Sequence, residues 1–397
     1  MEKLMIHEST SVAADPADVA AAIASPHGMS VWLSNEARSD RRPDGFVMAE
    51  WWDGRRLVGR WTTYEPPSEL SWQWRDDAVG DETTVSFALT EGGEGTDVQL
   101  TVAGVPASDA EPQSELWGQR LADLKTYVES GINAREARRA MVGIMLEAVD
   151  EELAERQGLP VTEGIWLSGV VDDGGASKAG LRKGDVIVAL DDVEVRSFAD
   201  LSGFLGARKA GDTITVRYWR DGEEHTAEVT TQPPPRPDFP RDLEGLREYV
   251  AGTYTAMPSE LRDLLADATP EEAEFKPAEG EWSINEILAH LVTGEKYGQD
   301  WISRELADAP TTSWPIGVEP MRMPIVAALG LASLLDRFEN EICETRDICL
   351  AALEGEPKPT VTESLGGSTH FGREHFDDHL GQIKANLEVA RGGTSSS

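Results

Sequence analysis

The chain has 397 residues, more than one ordinary hydrophobic core holds, so the expectation is about two to four domains. Its 72 acidic and 36 basic side chains leave a net charge of −36, a field that repels phosphate backbones and anionic lipid and argues against nucleic acid or membrane partners. The apolar fraction of 40%, the two cysteines six apart on different helix faces (Cys343, Cys349), the lack of a bilayer-length apolar run and an N-terminus unlike a signal peptide together predict a globular, disulfide-free, cytoplasmic protein.

Residues 1–132 read as one α+β layer. An alternating strand, "LMIHESTSV", leads into "DPADVAAAI", where Asp15 can cap a helix that has Pro16 at its first position. Strand-like runs follow: "GFVMAEWW", "RRLVGRWTTYE", "LSWQWRDD", "TTVSFALTE" and "TDVQLTVAG". The turn signals "WDGR", "EPPSE" and "EGGEGT" separate them. A closing helix carries Trp117, Leu121, Leu124 and Val128 on one stripe. Seven tryptophans fall in this segment, at positions 32, 51, 52, 61, 72, 74 and 117. Ordinary core packing accounts for any one of them; their number suggests an aromatic interior for a hydrophobic small molecule, with Trp51, Trp61, Trp72, Trp74 and Trp117 as its candidate lining.

With "ADPADVAAAI", "VWL", "EPPSELSWQW", "GEGTDVQLTV" and "LWGQRLADLKTYVE" in order, the segment resembles the SRPBCC superfamily. Within that superfamily it is similar to proteins related to the C-terminal domain of heat-shock ATPase activators. The resemblance implies a helix-grip fold with a cavity between sheet and long helix, and no particular reaction.

Residues 138–232 contain "GGASKAGLRKGDVIVALDDVEVRSFADLSGFL", in which Gly180, Gly184 and Asp185 match the signature of an HtrA-like PDZ domain. "AGDTITVRYWRDGEEHTAEV" reads as a hairpin with an "RDGE" turn. The resemblance implies a mainly-β module whose carboxylate loop is Met141, Val142, Gly143 and Ile144, where backbone amides would receive a peptide or protein C-terminus. The peptide would add as a strand beside residues 143–148, opposite a helix near 198–208. With no "GNSGG"-like nucleophile stretch before it, the module is expected to bind or to space, not to regulate a protease in cis.

Five of the nine residues in "QPPPRPDFP" are proline, and 233–240 is read as a semi-rigid linker. Residues 241–391 follow a helical grammar throughout, and 392–397 ("GGTSSS") read as a disordered tail. The first helix carries Leu243, Leu246, Val250, Thr253 and Met257 on a stripe, with a break or kink expected at Pro258. The second opens on the capping box Ser283–Glu286. The third is read as one helix through "MPIVAALGLASLLDRFENEICETRDICLAAL", and the fourth as "HFGREHFDDHLGQIKANLEVA". Together they predict an all-α four-helix bundle.

His375 and His379 stand four apart on one helix face and can share an ion. His290 on the second helix would supply a third imidazole, leaving positions open for water or substrate. The pair "EGEWSINEILAHLVTGE" and "EHFDDHLGQI" resembles the DinB-like family, a four-helix bundle with three metal-binding histidines. That resemblance implies His290, His375 and His379 as ligands of a divalent metal, zinc or nickel. Glu295 and Asp378 are candidates to orient a histidine or accept a proton, against the plainer reading of each as a surface carboxylate. Two functions compete. One is a metal-dependent transferase or hydrolase with substrate- or partner-choosing modules. The other is a non-enzymatic multi-module binding or adaptor protein.

Overall fold

A computed structural model describes residues 3–51, 54–76, 82–93, 95–278, 280–307 and 319–392. Trp52 in the "WDGR" turn and the tail beyond Gly392 lie outside the described residues. The chain falls into two compact units: most of residues 1–236, and residues 237–397 with the short pieces 25–27 and 128–131.

The first unit holds two sheets. After β1 (Lys3–Val12) come α1 (Pro16–Ala24), α2 (Pro26–Trp32), β2 (Glu36–Ser39), β3 (Phe46–Glu50), β4 (Arg56–Glu65), β5 (Glu69–Asp76), β6 (Glu82–Gly92), β7 (Gly95–Pro106) and α3 (Ala110–Ser130). Among the described residues the strands form one seven-stranded antiparallel sheet in the order β1-β7-β6-β5-β4-β3-β2. Each of the six strand-like runs becomes a strand: β6 and β7 alternate buried and open positions, while β3 and β5 bury neighbouring residues on both faces. β2 has no such signal in the sequence, because its four residues, "EARS", bury only Ala37 and carry no period. α3 buries Trp117, Leu121, Leu124 and Val128, the stripe expected from the sequence.

The second sheet follows α4 (Ala134–Ala137). Its elements are β8 (Ile144–Ala148), α5 (Glu151–Gln157), β9 (Ile165–Val170), α6 (Gly175–Lys178), β10 (Val186–Leu190), β11 (Val193–Glu194), α7 (Phe198–Gly206), β12 (Thr213–Arg220) and β13 (Glu223–Thr230). The order is β13-β12-β10-β9-β8, with β11 on β10, so β8 is an edge strand. The hairpin turn uses Asp221 and Gly222, both at positive φ (53° and 84°), the two-residue turn whose twist suits a right-twisted ribbon. Asp185 of the glycine–aspartate signature is buried and takes a two-pronged pair of bonds from Arg220 at 2.6 and 2.7 Å.

The second unit is helical: α8 (Leu243–Leu264), α9 (Pro270–Glu274), α10 (Ile284–Leu306), α11 (Glu319–Ala327), α12 (Leu331–Ala352) and α13 (Pro359–Ala390). The long helices α8, α10, α12 and α13 form the bundle around one apolar core. α8 runs through Pro258, so of the break or kink expected there the break is absent. Its buried stripe takes Tyr254 where Thr253 was expected. The single third helix expected from the sequence is two: Gly330 at φ 78° separates α11 from α12, a conformation helical residues do not adopt. α13 begins at Pro359 and continues through Gly366 and Gly367. A Cβ on Gly366 would stand 2.2 Å from the Phe239 ring, so glycine here serves a close approach inside the helix, not a turn.

The capping box forms as expected: Glu286 N–H donates to Ser283 Oγ at 3.2 Å, and Ser283 N–H to Glu286 Oε2 at 2.8 Å. Ser283→Ala should cost about 1 kcal/mol of bundle stability, read by amide hydrogen exchange in α10.

Candidate metal centre

α10 and α13 run antiparallel: the Asn386 amide donates to the Trp282 carbonyl at 2.8 Å, and His290 meets His375 further along. That pairing sets the three imidazoles together. Their candidate ligand atoms all lie within 4.8 Å of one another. His290 Nε2 and His375 Nε2 are 3.1 Å apart. Two nitrogens bound to one tetrahedral zinc at 2.0–2.1 Å would be about 3.3 Å apart, so the donor set fits a single ion. The ring centroids of His290, His375 and His379 are separated by 4.6–5.1 Å, and all three side chains are half-buried.

Two neighbours hold the rings. Gln382 Oε1 lies 3.1 Å from His379 Nδ1, so a tautomer with its proton on Nδ1 would donate to it and leave Nε2 free to face an ion. The Trp282 ring lies 5.1 Å from His290 and stacks on His379 at 6.2 Å. Gln382 sits three residues past His379 on one helix face, so spacing could have revealed its role. Gln382→Ala should weaken zinc affinity about tenfold or more, measured by competition with a chromogenic chelator.

Glu295 does not orient a histidine. Its Oε1 accepts a hydrogen bond from the Thr345 hydroxyl of α12, since the carboxyl leaves α10 on the side that faces α12. Burial, reinforced by the nearby Glu341 carboxylate, pushes Glu295 up to about 7 against the pull of the Thr345 bond. Asp378 is exposed on the solvent side of α13. The Cys349 thiol is pushed up to about 12 by burial and by Glu295, so it stays protonated and is no nucleophile at neutral pH.

In the seven-stranded sheet, Trp61 faces Trp72 across β4 and β5 with ring centroids 5.1 Å apart. The rings continue through Trp74 (5.5 Å from Trp72) to Trp117 (6.4 Å from Trp74). All four are buried, and Trp72 Nε1 has no hydrogen-bond partner among the described residues. Trp51 is half-buried beyond β3, with the Arg55 guanidinium 4.9 Å from its ring.

The expected carboxylate loop departs from its pattern at one residue. Met141 N–H already donates to the Gln232 carbonyl at 2.8 Å, which removes it as a receiver of a peptide end. Gly143 takes φ 74°. Val171 N–H donates to the Gly143 carbonyl while Ile144 faces Val170, so Ile144 occupies a non-hydrogen-bonded pair and turns its own amide to the free edge of β8.

Three family models match the chain in order. Residues 13–129 match "Activator of Hsp90 ATPase homolog 1-like protein", 135–231 the PDZ domain, and 253–383 the DinB superfamily. The chain therefore carries three modules in order: an α+β module like the Hsp90 ATPase activator homologues, a PDZ module and a DinB-like helical bundle. Among curated relatives, a probable periplasmic serine endoprotease DegP-like of Marinomonas sp. is 35% identical over 103 residues, 26% of this chain and 22% of that protein. The protein of the same name in Pseudomonas fluorescens is 36% identical over 108 residues, 27% of this chain and 22% of its own length. The chain thus spans about a fifth of these relatives, through the PDZ segment. Among solved structures, the Aha1 dimer from Colwellia psychrerythraea shares 19% identity over 31% of this chain and 95% of its own, with a TM-score of 0.28. The HtrA3 PDZ domain bound to a phage-derived ligand shares 15% over 24% of this chain and 86% of its own, with a TM-score of 0.22. No described helix is long and apolar enough to cross a membrane.

Proposed function

We propose that His290, His375 and His379 hold one divalent ion, zinc or nickel, and that the chain is a metal-dependent transferase or hydrolase. Its two N-terminal modules choose ligand and partner. The convergence of the three imidazoles from two helices within 4.8 Å carries the reading. A bound ion would supply the nucleophile by lowering the pKa of a coordinated water or thiol. Gln382 keeps the His379 ring in one tautomer, and Trp282 packs over two of the rings, limiting water on that side.

The support for the binding modules is local. The free edge of β8, with the Ile144 amide turned outward and Met145 58% exposed, suits an added peptide strand opposite α7. The aromatic interior of the first module, with Trp72 Nε1 unpartnered, suits an apolar molecule that carries one acceptor.

Metal analysis of the purified protein tests the first reading. About one equivalent of zinc or nickel is expected in the wild type and loss of it in each of His290→Ala, His375→Ala and His379→Ala. A metal-free protein that takes up no ion on reloading sinks it. The adaptor reading gains if mass spectrometry of the denatured protein finds a co-purified apolar ligand while the histidines hold nothing.

A further inference from the structure

The core stripe of α10 is interrupted. Ile284, Ile287 and Leu291 fill its first half and Ile302 its end, but Gly294 and Gly298 occupy the helical positions between. A Cβ on either glycine would meet nothing within 4 Å. On α13, Thr369 and Gly372 stand at core positions between Leu365 and Phe376, and a Cβ on Gly372 would meet only the Tyr254 hydroxyl, at 3.9 Å. Close packing would place large apolar side chains here. The layer is lined instead by glycines and by the polar tips of Tyr254, Glu295, Thr345 and Thr369, one from each long helix.

This layer adjoins the histidines. Glu295 follows His290 by five residues, about 7.5 Å along α10, and Thr369 precedes His375 by six, about 9 Å along an antiparallel α13. Thr369 is fully buried, and its Oγ1 faces the Tyr254 hydroxyl without a hydrogen bond of good geometry, so a polar atom is left unsatisfied in the layer. Charge is unbalanced too. Glu341 is neutralised by Lys296 and braced by Gln299, whose amide donates to the Glu341 carbonyl at 2.9 Å. Glu295 has the Thr345 hydroxyl on Oε1 and no cation among the described residues.

We propose that this layer is a ligand chamber and that Glu295 receives the ammonium group of a small amine-bearing substrate whose other end reaches the histidine-held ion. An ammonium would pair with Glu295 and find further acceptors in the hydroxyls of Tyr254 and Thr369. An anionic group would confront the same unpaired carboxyl. The metal end of this assignment rests on the proposed function; the chamber and its charge preference do not.

The test separates the two. Metal-free full-length protein is titrated calorimetrically with n-butylammonium and with butyrate, and zinc-loaded protein with 4-aminobutane-1-thiol and 4-mercaptobutanoate. In the wild type each cation should bind at least about tenfold tighter than its anionic counterpart. Glu295→Gln should bring the ratio to about one, and Gly298→Leu, which fills the chamber, should abolish cation binding in a protein with unchanged helical circular dichroism. If the histidines hold no ion, the thiol arm fails while the butylammonium arm still decides the chamber. Equal binding of cation and anion by the wild type, or a preference that survives Glu295→Gln, overturns the proposal.

Discussion

Zinc added to metal-free protein is expected to slow amide exchange across α10 and α13, and His375→Ala should erase the effect. The three imidazoles converge only when these helices are paired, because His290 belongs to one and His375 and His379 to the other. The unfolded chain has no such site, so binding free energy becomes stability. At a thousandfold excess over the dissociation constant the gain is about 4 kcal/mol. His375 lies 3.1 Å from His290 across the helix pair, so its loss removes a ligand contact that joins the two helices. Exchange is the suitable readout because a chain of several modules has no single unfolding transition. Equal protection of wild type and His375→Ala by zinc would place the ion elsewhere.

Glu295→Gln should stabilise the bundle at alkaline pH and leave it nearly unchanged in acid. The Glu295 carboxyl is raised from 4.5 in the unfolded reference to about 7, first by burial and then by Glu341. Below 4.5 both states hold the proton and the group costs nothing. From there to about 7 the unfolded chain ionises while the folded one does not, and stability falls with rising pH. Above this window the cost levels off at about 3 kcal/mol, since each tenfold change in proton affinity is worth about 1.4 kcal/mol. Glutamine cannot ionise, so the variant's advantage should grow through the same window. Denaturant titrations at pH 4.5 and 8.5, followed by exchange in α10, decide it. An advantage independent of pH would mean that Glu295 is already ionised or solvated in the native bundle.

Strands and helix stripes were legible wherever one face is uniformly buried. β6 and β7 could be read from alternation alone, and α3 from Trp117, Leu121, Leu124 and Val128. The start of α13 was not, because Gly366 and Gly367 look like a stop until Phe239 is seen pressed against the first of them. Gly330 misled in the opposite direction: an apolar run continues across it, yet its positive φ ends one helix and begins another. The histidine site was legible because an i, i+4 pair is a property of one helix. Glu295 was not, because its neighbours Thr345 and Glu341 belong to α12, and burial by a distant segment leaves no local pattern.

By itself the sequence determined the three modules and their order, the bundle helices that carry the histidines, and an acidity that argues against polyanionic partners. These are matters of period, spacing and composition, which act within about one turn or one strand. Only the tertiary structure decided that Met141 is already bonded, that Gln382 and not Glu295 orients a histidine, and that glycines and hydroxyls replace apolar side chains in mid-bundle. Each depends on which residues meet across elements, and pairing between distant segments is what folding adds to local propensity.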